Sequence, residues 1–181
     1  MEIVDFHTHN LDAPPGEAII NVPLEWMKEP ARFNLRPHAL YSAGIHPWWT
    51  SNLMQVEAML QNLPTLLAHP QVVAVGECGL DARRGAGMEE QERVFLAQVA
   101  LAEQFRLPVT LHIVHAFDRL LLLRKMLLPT TQWTVHGFRG KPALARQLLD
   151  AGLNLSFGRQ YNSESLEITP PDRRHRETDD D

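Results

Sequence analysis

Five short apolar runs in this chain end in the same way, on a histidine or an acid. They lie in the expected strands Ile3-Val4-Asp5-Phe6-His7-Thr8-His9, Ala39 to Pro47 with His46 at its end, Val72 to Asp81 that is apolar until Glu77, Pro108-Val109-Thr110-Leu111-His112, and Trp133 to Phe138 that is apolar until His136. Near-continuous apolar runs of this length read as strands buried on both faces, the signature of a parallel sheet. A sixth strand is expected over 153–158. The segments between the later runs have helical character. Ser51 can cap a helix over Leu53, Val56, Leu60 and Leu63 that Pro64 and Pro70 break or end. Further helices are predicted over 89–105, over 117–128, and from Pro142 through Leu149 with Gly152 as C-cap. The proline-rich stretch 10–37 reads as a long loop around a weak element at 24–27.

Strands alternating with helices build βα units, so the fold class is α/β. Because the polar residues gather at strand C-terminal ends, a TIM-type (β/α) barrel is favoured, since that rim is where such barrels carry their sites. An open doubly wound sheet would normally show a glycine-rich phosphate turn after an early strand, and none is present. The 181 residues suit one domain, 1–181. A net charge of −5 gives no global field to attract nucleic acid, so any phosphate binding must be local. The single cysteine, Cys78, excludes an internal disulfide framework and reads as a small core residue. With no 18-residue apolar run, the expectation is a cytoplasmic protein with no membrane association and no obligate protein partner.

The strand ends carry the chemistry. Side chains alternate along a strand, so Asp5, His7 and His9 share a face, and two imidazoles there can close on one metal ion. Asp5 itself suits a ligand or a hydrogen-bonding role equally. A carboxylate at the buried tip of the third strand, Glu77, needs a partner, because burying it unpaired costs several kcal/mol. Any one of these groups is as easily a structural polar residue, but the set is hard to place except around metal. His38, His69 and His115 fall in loops or helix starts and are not expected to bind metal. Trp48 and Trp49 suit either stacking on a base or covering the barrel rim. Arg83, Arg84, Arg139 and Lys141 follow strand ends, where phosphate would lie, and read equally as solvated loop charges.

Taken together, Asp5-x-His7-x-His9, Gly44-Ile45-His46-Pro47, Gly76-Glu77-Cys78-Gly79-Leu80-Asp81, Pro108-Val109-x-x-His112, His136-Gly137-Phe138 with Gly140, and Glu177-Thr178-Asp179 resemble the TatD family of metal-dependent deoxyribonucleases, amidohydrolase-like barrel enzymes. The motifs stand in family order over nearly the whole chain. The resemblance implies two divalent ions, Zn, Mg or Mn: His7 and His9 on the first, Glu77 bridging, His112 and His136 on the second. It also implies that Asp179 binds the first ion and orients or deprotonates the attacking water, with His46 and Arg139 near the substrate. DNA or another phosphodiester is then the expected substrate. Amide or ester hydrolysis on the same metal barrel is the alternative enzyme, and an inactive truncated fragment that still binds metal is the non-enzymatic one.

The C-terminus departs from this pattern. The family's last motif is expected to follow an apolar strand, but here Asp172-Arg173-Arg174-His175-Arg176 precede it. Such residues do not fill a strand buried on both faces. A barrel of this kind usually takes about 250 residues. The expectation is therefore a barrel incomplete at its C-terminal end, with no eighth strand and with Asp179 not delivered to the metals. The alternative is a solvated edge strand from which Asp179 still reaches the site.

Overall fold

The computed structural model describes residues 2–179. Its centre is one sheet of eight parallel strands whose spatial order is the chain order. The strands are β1 (Asp5–Thr8), β2 (Ala18–Asn21), β3 (Leu40–Ala43), β4 (Val72–Asp81), β5 (Val109–Val114), β6 (Trp133–Val135), β7 (Asn154–Phe157) and β8 (Arg174–Arg176). Between β2 and β3 runs the short helix α1 (Leu24–Lys28); α2 (Leu53–Leu67), α3 (Met88–Phe105), α4 (Phe117–Leu127) and α5 (Pro142–Asp150) follow β3 to β6 in turn. The six-residue α6 (Ser163–Ile168) joins β7 to β8. This is a TIM-type barrel in its strands. No helix joins β1 to β2, and none follows β8 among the described residues. None of the described helices is long and apolar enough to cross a membrane.

The core lies between the helices and the sheet, where Val94, Phe95, Val99 and Ala102 of α3 meet Val75, Leu111 and Trp133. Cys78 is buried within it. Backbones approach closely where β4 crosses β5. A Cβ on Gly79, at φ +146°, would stand 2.1 Å from the carbonyl oxygen of His112, so only glycine fits.

Four details differ from the sequence reading. β2 lies in the stretch read as loop, because Ala18-Ile19-Ile20-Asn21 is buried throughout and too short to show a period. Asn52, not Ser51, caps α2, its side chain accepting from the Gln55 N–H at 3.1 Å. Pro64 sits inside α2 without ending it. Ala151 is the C-cap of α5, and Gly152 follows at φ +87°, the left-handed position beyond the cap.

The largest correction concerns β8. It exists, paired in parallel with β7 through Leu155 and Arg174, Ser156 and His175, Phe157 and Arg176. The basic run is accommodated because β8 is an edge with partly exposed side chains rather than a doubly buried strand. Arg173 donates to Asn154 Oδ1 (2.9 Å) and to the carbonyls of Leu149 and Leu153. Arg174 donates to the Leu166 carbonyl at 3.0 Å. His175 stacks on Phe6 with ring centroids 4.2 Å apart, and Arg176 lies over Tyr161. Every cation in the run thus meets a backbone acceptor or a ring.

Candidate metal centre

Glu77 sits on the barrel axis side of β4, buried, and its backbone N–H donates to Asn21 Oδ1 at 2.8 Å. Its two carboxylate oxygens face two separate groups of donors. On the Oε2 side stand His7 Nε2 at 3.2 Å and His9 Nε2 at 3.7 Å. Those two nitrogens are 3.3 Å apart, and Asp179 Oδ1 lies 3.6 and 3.5 Å from them. On the Oε1 side stand His136 Nε2 (2.9 Å), His46 Nε2 (3.0 Å) and His112 Nδ1 (3.2 Å). The expectation that Asp179 misses the site is therefore overturned. Every residue of the expected ligand set, His7, His9, Glu77, His112, His136 and Asp179, comes to this one centre.

Asp179 is delivered from the opposite edge of the sheet. Asp5 accepts both the backbone N–H of Thr178 (2.9 Å, to Oδ1) and its hydroxyl (2.5 Å, to Oδ2). The N–H of Asp179 then donates to the His7 carbonyl at 3.1 Å. Asp5 is thus a tether for the C-terminal segment and not a member of the donor cluster.

Hydrogen bonds behind the histidines decide which nitrogen each presents. His112 directs Nε2 to Asp81 Oδ2 at 3.1 Å, which leaves Nδ1 as the atom facing Glu77. His136 directs Nδ1 to Glu177 Oε1 at 3.3 Å, leaving Nε2 to face Glu77. A carboxylate behind each imidazole fixes the tautomer and raises ligand basicity. With both rings neutral the inward nitrogens would point lone pairs at a carboxylate oxygen, a contact that a cation between them or a proton on the ring relieves. His46 differs, since its Nδ1 already accepts from the Trp48 N–H at 3.1 Å. Its Nε2 therefore carries the proton and donates to Glu77 Oε1, and burial depresses the pKa of the ring, with Glu77 only partly opposing. His46 is a donor to the central carboxylate.

Burial alone would raise the Glu77 pKa and lower that of His136. The charge of His136 and the bonds from His112, His136 and His46 instead hold Glu77 well below the usual carboxylate range. Glu77 and Glu177 hold His136 well above the usual imidazole value. Glu77 Oε2 is buried and makes no hydrogen bond among the described residues, although imidazole nitrogens surround it. A buried carboxylate oxygen left that way, facing two imidazoles and a second carboxylate, fits a cation. Among the described residues, four triads have donor atoms within 4.8 Å of one another: His7, His9 and Asp179; His7, Glu77 and His136; His46, Glu77 and His112; His136, Glu177 and Asp179.

Asp81 and Glu177, which stand behind His112 and His136, fall within the quoted motifs but carry no role assigned from the sequence. The signal was available: Asp81 is four residues after Glu77 on one strand and Glu177 two before Asp179, spacings that share a face in an extended chain. Asp81 also accepts from Trp48 Nε1 (2.7 Å) and from the Arg83 N–H (2.9 Å), and these bonds with His112 outweigh burial and keep its pKa low. Replacing Asp81 by asparagine is expected to weaken metal binding at the His112 and His136 side about 10- to 100-fold, measured by metal titration of the purified variant. Unchanged affinity would remove Asp81 from this role.

The centre opens into a cavity of about 680 Å³ lined by Trp48, Phe117, Phe138 and Arg139 among others. Arg139 also borders a smaller adjoining hollow of about 240 Å³ with Arg159 and Thr178. His115 is at the rim of the large cavity, while His38 and His69 stand apart from the donor cluster. Lys141 is exposed at the start of α5.

Residues 20–180 match the family model described as TatD related DNase. The chain belongs to the TatD family. Among curated members, it is 37% identical over 148 residues to the 3'-5' ssDNA/RNA exonuclease TatD of Musicola paradisiaca, a match covering 76% of this chain and 55% of that protein. It is 42% identical over 114 residues to the protein of the same name from Klebsiella pneumoniae, covering 62% of this chain and 43% of the relative. The chain thus spans about half the length of these TatD relatives. A TatD homologue from Escherichia coli K12 superposes over 97% of this chain and 78% of its own, with a TM-score of 0.75 and 26% identity. The likeness of fold therefore extends over nearly all of this chain, including the strand ends that gather the TatD motifs.

Proposed function

We propose that this chain is a metal-dependent phosphodiesterase that hydrolyses DNA, with Glu77 as the carboxylate shared between two divalent ions. The observation that carries the proposal is the pair of donor groups on the two oxygens of Glu77, His7 and His9 against one and His112 and His136 against the other. His7, His9 and Asp179 would hold one ion and His112 and His136 the other. Zn, Mg or Mn in these positions would lower the pKa of water and take up charge developing on the phosphodiester. Asp179, at the cavity wall, orients the attacking water and accepts its proton. His46 keeps its proton on Nε2 and steadies the central carboxylate. Arg139 meets substrate phosphate at the boundary of the two hollows. We assign its action to the cytoplasm, consistent with a buried, unpaired Cys78.

The test is release of nucleotides from single-stranded DNA by the metal-loaded chain. Activity with Mg or Mn is expected to vanish on chelation and return when metal is restored. Turnover of an amide with Zn, without any cleavage of DNA, would sink the proposal in favour of the other hydrolase class.

A further inference from the structure

Trp48 is the most exposed of the four tryptophans, with 39% of its surface open, and it stands at the wall of the large cavity. Its position is fixed from three directions. The backbone N–H donates to His46, the indole N–H donates to Asp81, and the ring meets His46 and His112 edge-on with centroids 4.7 and 5.5 Å away. The Arg84 guanidinium lies 3.8 Å above the ring centroid, about the separation of stacked planar groups. An exposed indole held this firmly is a prepared surface, because little side-chain freedom is left to lose when a planar ligand stacks on it. The cavity is also far larger than a phosphate needs; its volume is that of a site for a nucleotide-sized molecule. Phe117 and Phe138 supply its apolar lining.

Resting on the nuclease reading above, we propose that Trp48, with Arg84 stacked on it, is a nucleobase-binding subsite beside the second donor group. The base of a nucleotide stacks on this platform while its phosphate reaches toward Glu77. Arg84 adds positive charge next to the backbone of the strand. Stacking discriminates little among bases, since each offers a planar face, so the subsite selects for the presence of a base and not for its identity. The base must also be unstacked from its neighbours, which favours single strands. Asp81 joins this platform to the metal centre, because the same Oδ2 accepts from Trp48 Nε1 and faces His112 Nε2. Trp48 therefore has two separable attributes, a stacking face and an indole N–H.

The experiment compares binding of two short single-stranded phosphorothioate oligonucleotides, one carrying bases and one abasic, by fluorescence anisotropy with the full chain loaded with Mn. The wild type is expected to bind the base-bearing strand about tenfold more tightly. Trp48→Ala is expected to lose that preference, and Trp48→Phe, which keeps a ring but not the N–H, to retain most of it. Equal binding of both strands by the wild type, or an undiminished preference in Trp48→Ala, would overturn the subsite. So would equal loss in the two variants, because the bond to Asp81 would then be the only role of Trp48. Hydrolysis of a small base-free phosphodiester by the wild type is measured in parallel. Its failure counts against the nuclease reading and leaves the binding comparison intact.

Discussion

Glu77→Ala is expected to lower cleavage of single-stranded DNA by about 10⁴-fold, the upper end of what one acid–base or charge-stabilising group supplies. The size of the effect follows from position. One oxygen of Glu77 faces His7 and His9, and the other faces His46, His112 and His136. Removing it takes a donor from both groups at once and leaves the outer carboxylates Asp81 and Glu177 to orient histidines with no shared anion between them. Metal titration should show both binding events weakened. Glu77→Gln preserves volume and keeps one oxygen, so comparing the two variants separates charge from packing. If Glu77→Ala retained cleavage within tenfold of the wild type, the assignment of Glu77 as the shared carboxylate would be wrong.

The second large effect is expected far from the reacting atoms, at Asp5. Asp5→Ala removes the acceptor for both the N–H and the hydroxyl of Thr178, bonds that join residues 173 apart in the sequence. The segment carrying Asp179 is then held to β1 by the backbone bond to His7, the contact of the Thr178 hydroxyl with Thr8 (3.3 Å) and the Phe6–His175 stack. Metal affinity on the His7 and His9 side should fall about 10- to 100-fold, as when a ligand loses its supporting bond, while the His112 and His136 side is little changed. Hydrogen exchange over residues 174–179 should quicken in the same variant. Thr178→Val, which removes only the hydroxyl, should show a smaller version of both changes. An Asp5→Ala variant with ordinary metal binding and ordinary exchange would show that the tether does not position Asp179.

Five of the donors, His7, His9, Glu77, His112 and His136, are legible in the sequence because each stands where an apolar run meets a polar residue. A buried strand has few reasons to carry a residue such as His112 or Glu77, and the repetition of that feature from strand to strand supports the inference. What governs the donors was harder to read. The tautomer of His112 depends on Asp81 and that of His136 on Glu177, contacts between strands that no spacing rule encodes. β2 escaped notice because four fully buried residues have no polar face to mark a period. β8 differs from its sequence reading for the opposite reason: Arg173, just before it, donates to the carbonyls of Leu149 and Leu153 and Arg174 to that of Leu166, acceptors that become neighbours only in the folded chain. Composition alone made the strand look too charged to belong to the sheet.

The two edges of the sheet meet without a ladder of their own. β1 pairs with β2 and β8 with β7, and the described junction between β1 and the β8 end includes the bonds of Thr178 to Asp5 and Thr8, the Asp179 to His7 backbone bond, the approach of Asp179 to the His7 and His9 rings and one ring stack. In the proposed centre the first ion would be gripped by His7 and His9 from one edge and Asp179 from the other. That ion is then a staple across the seam, doing for the last pair of strands what hydrogen bonds do for the other seven. Metal release and opening of the seam become linked equilibria, each favouring the other.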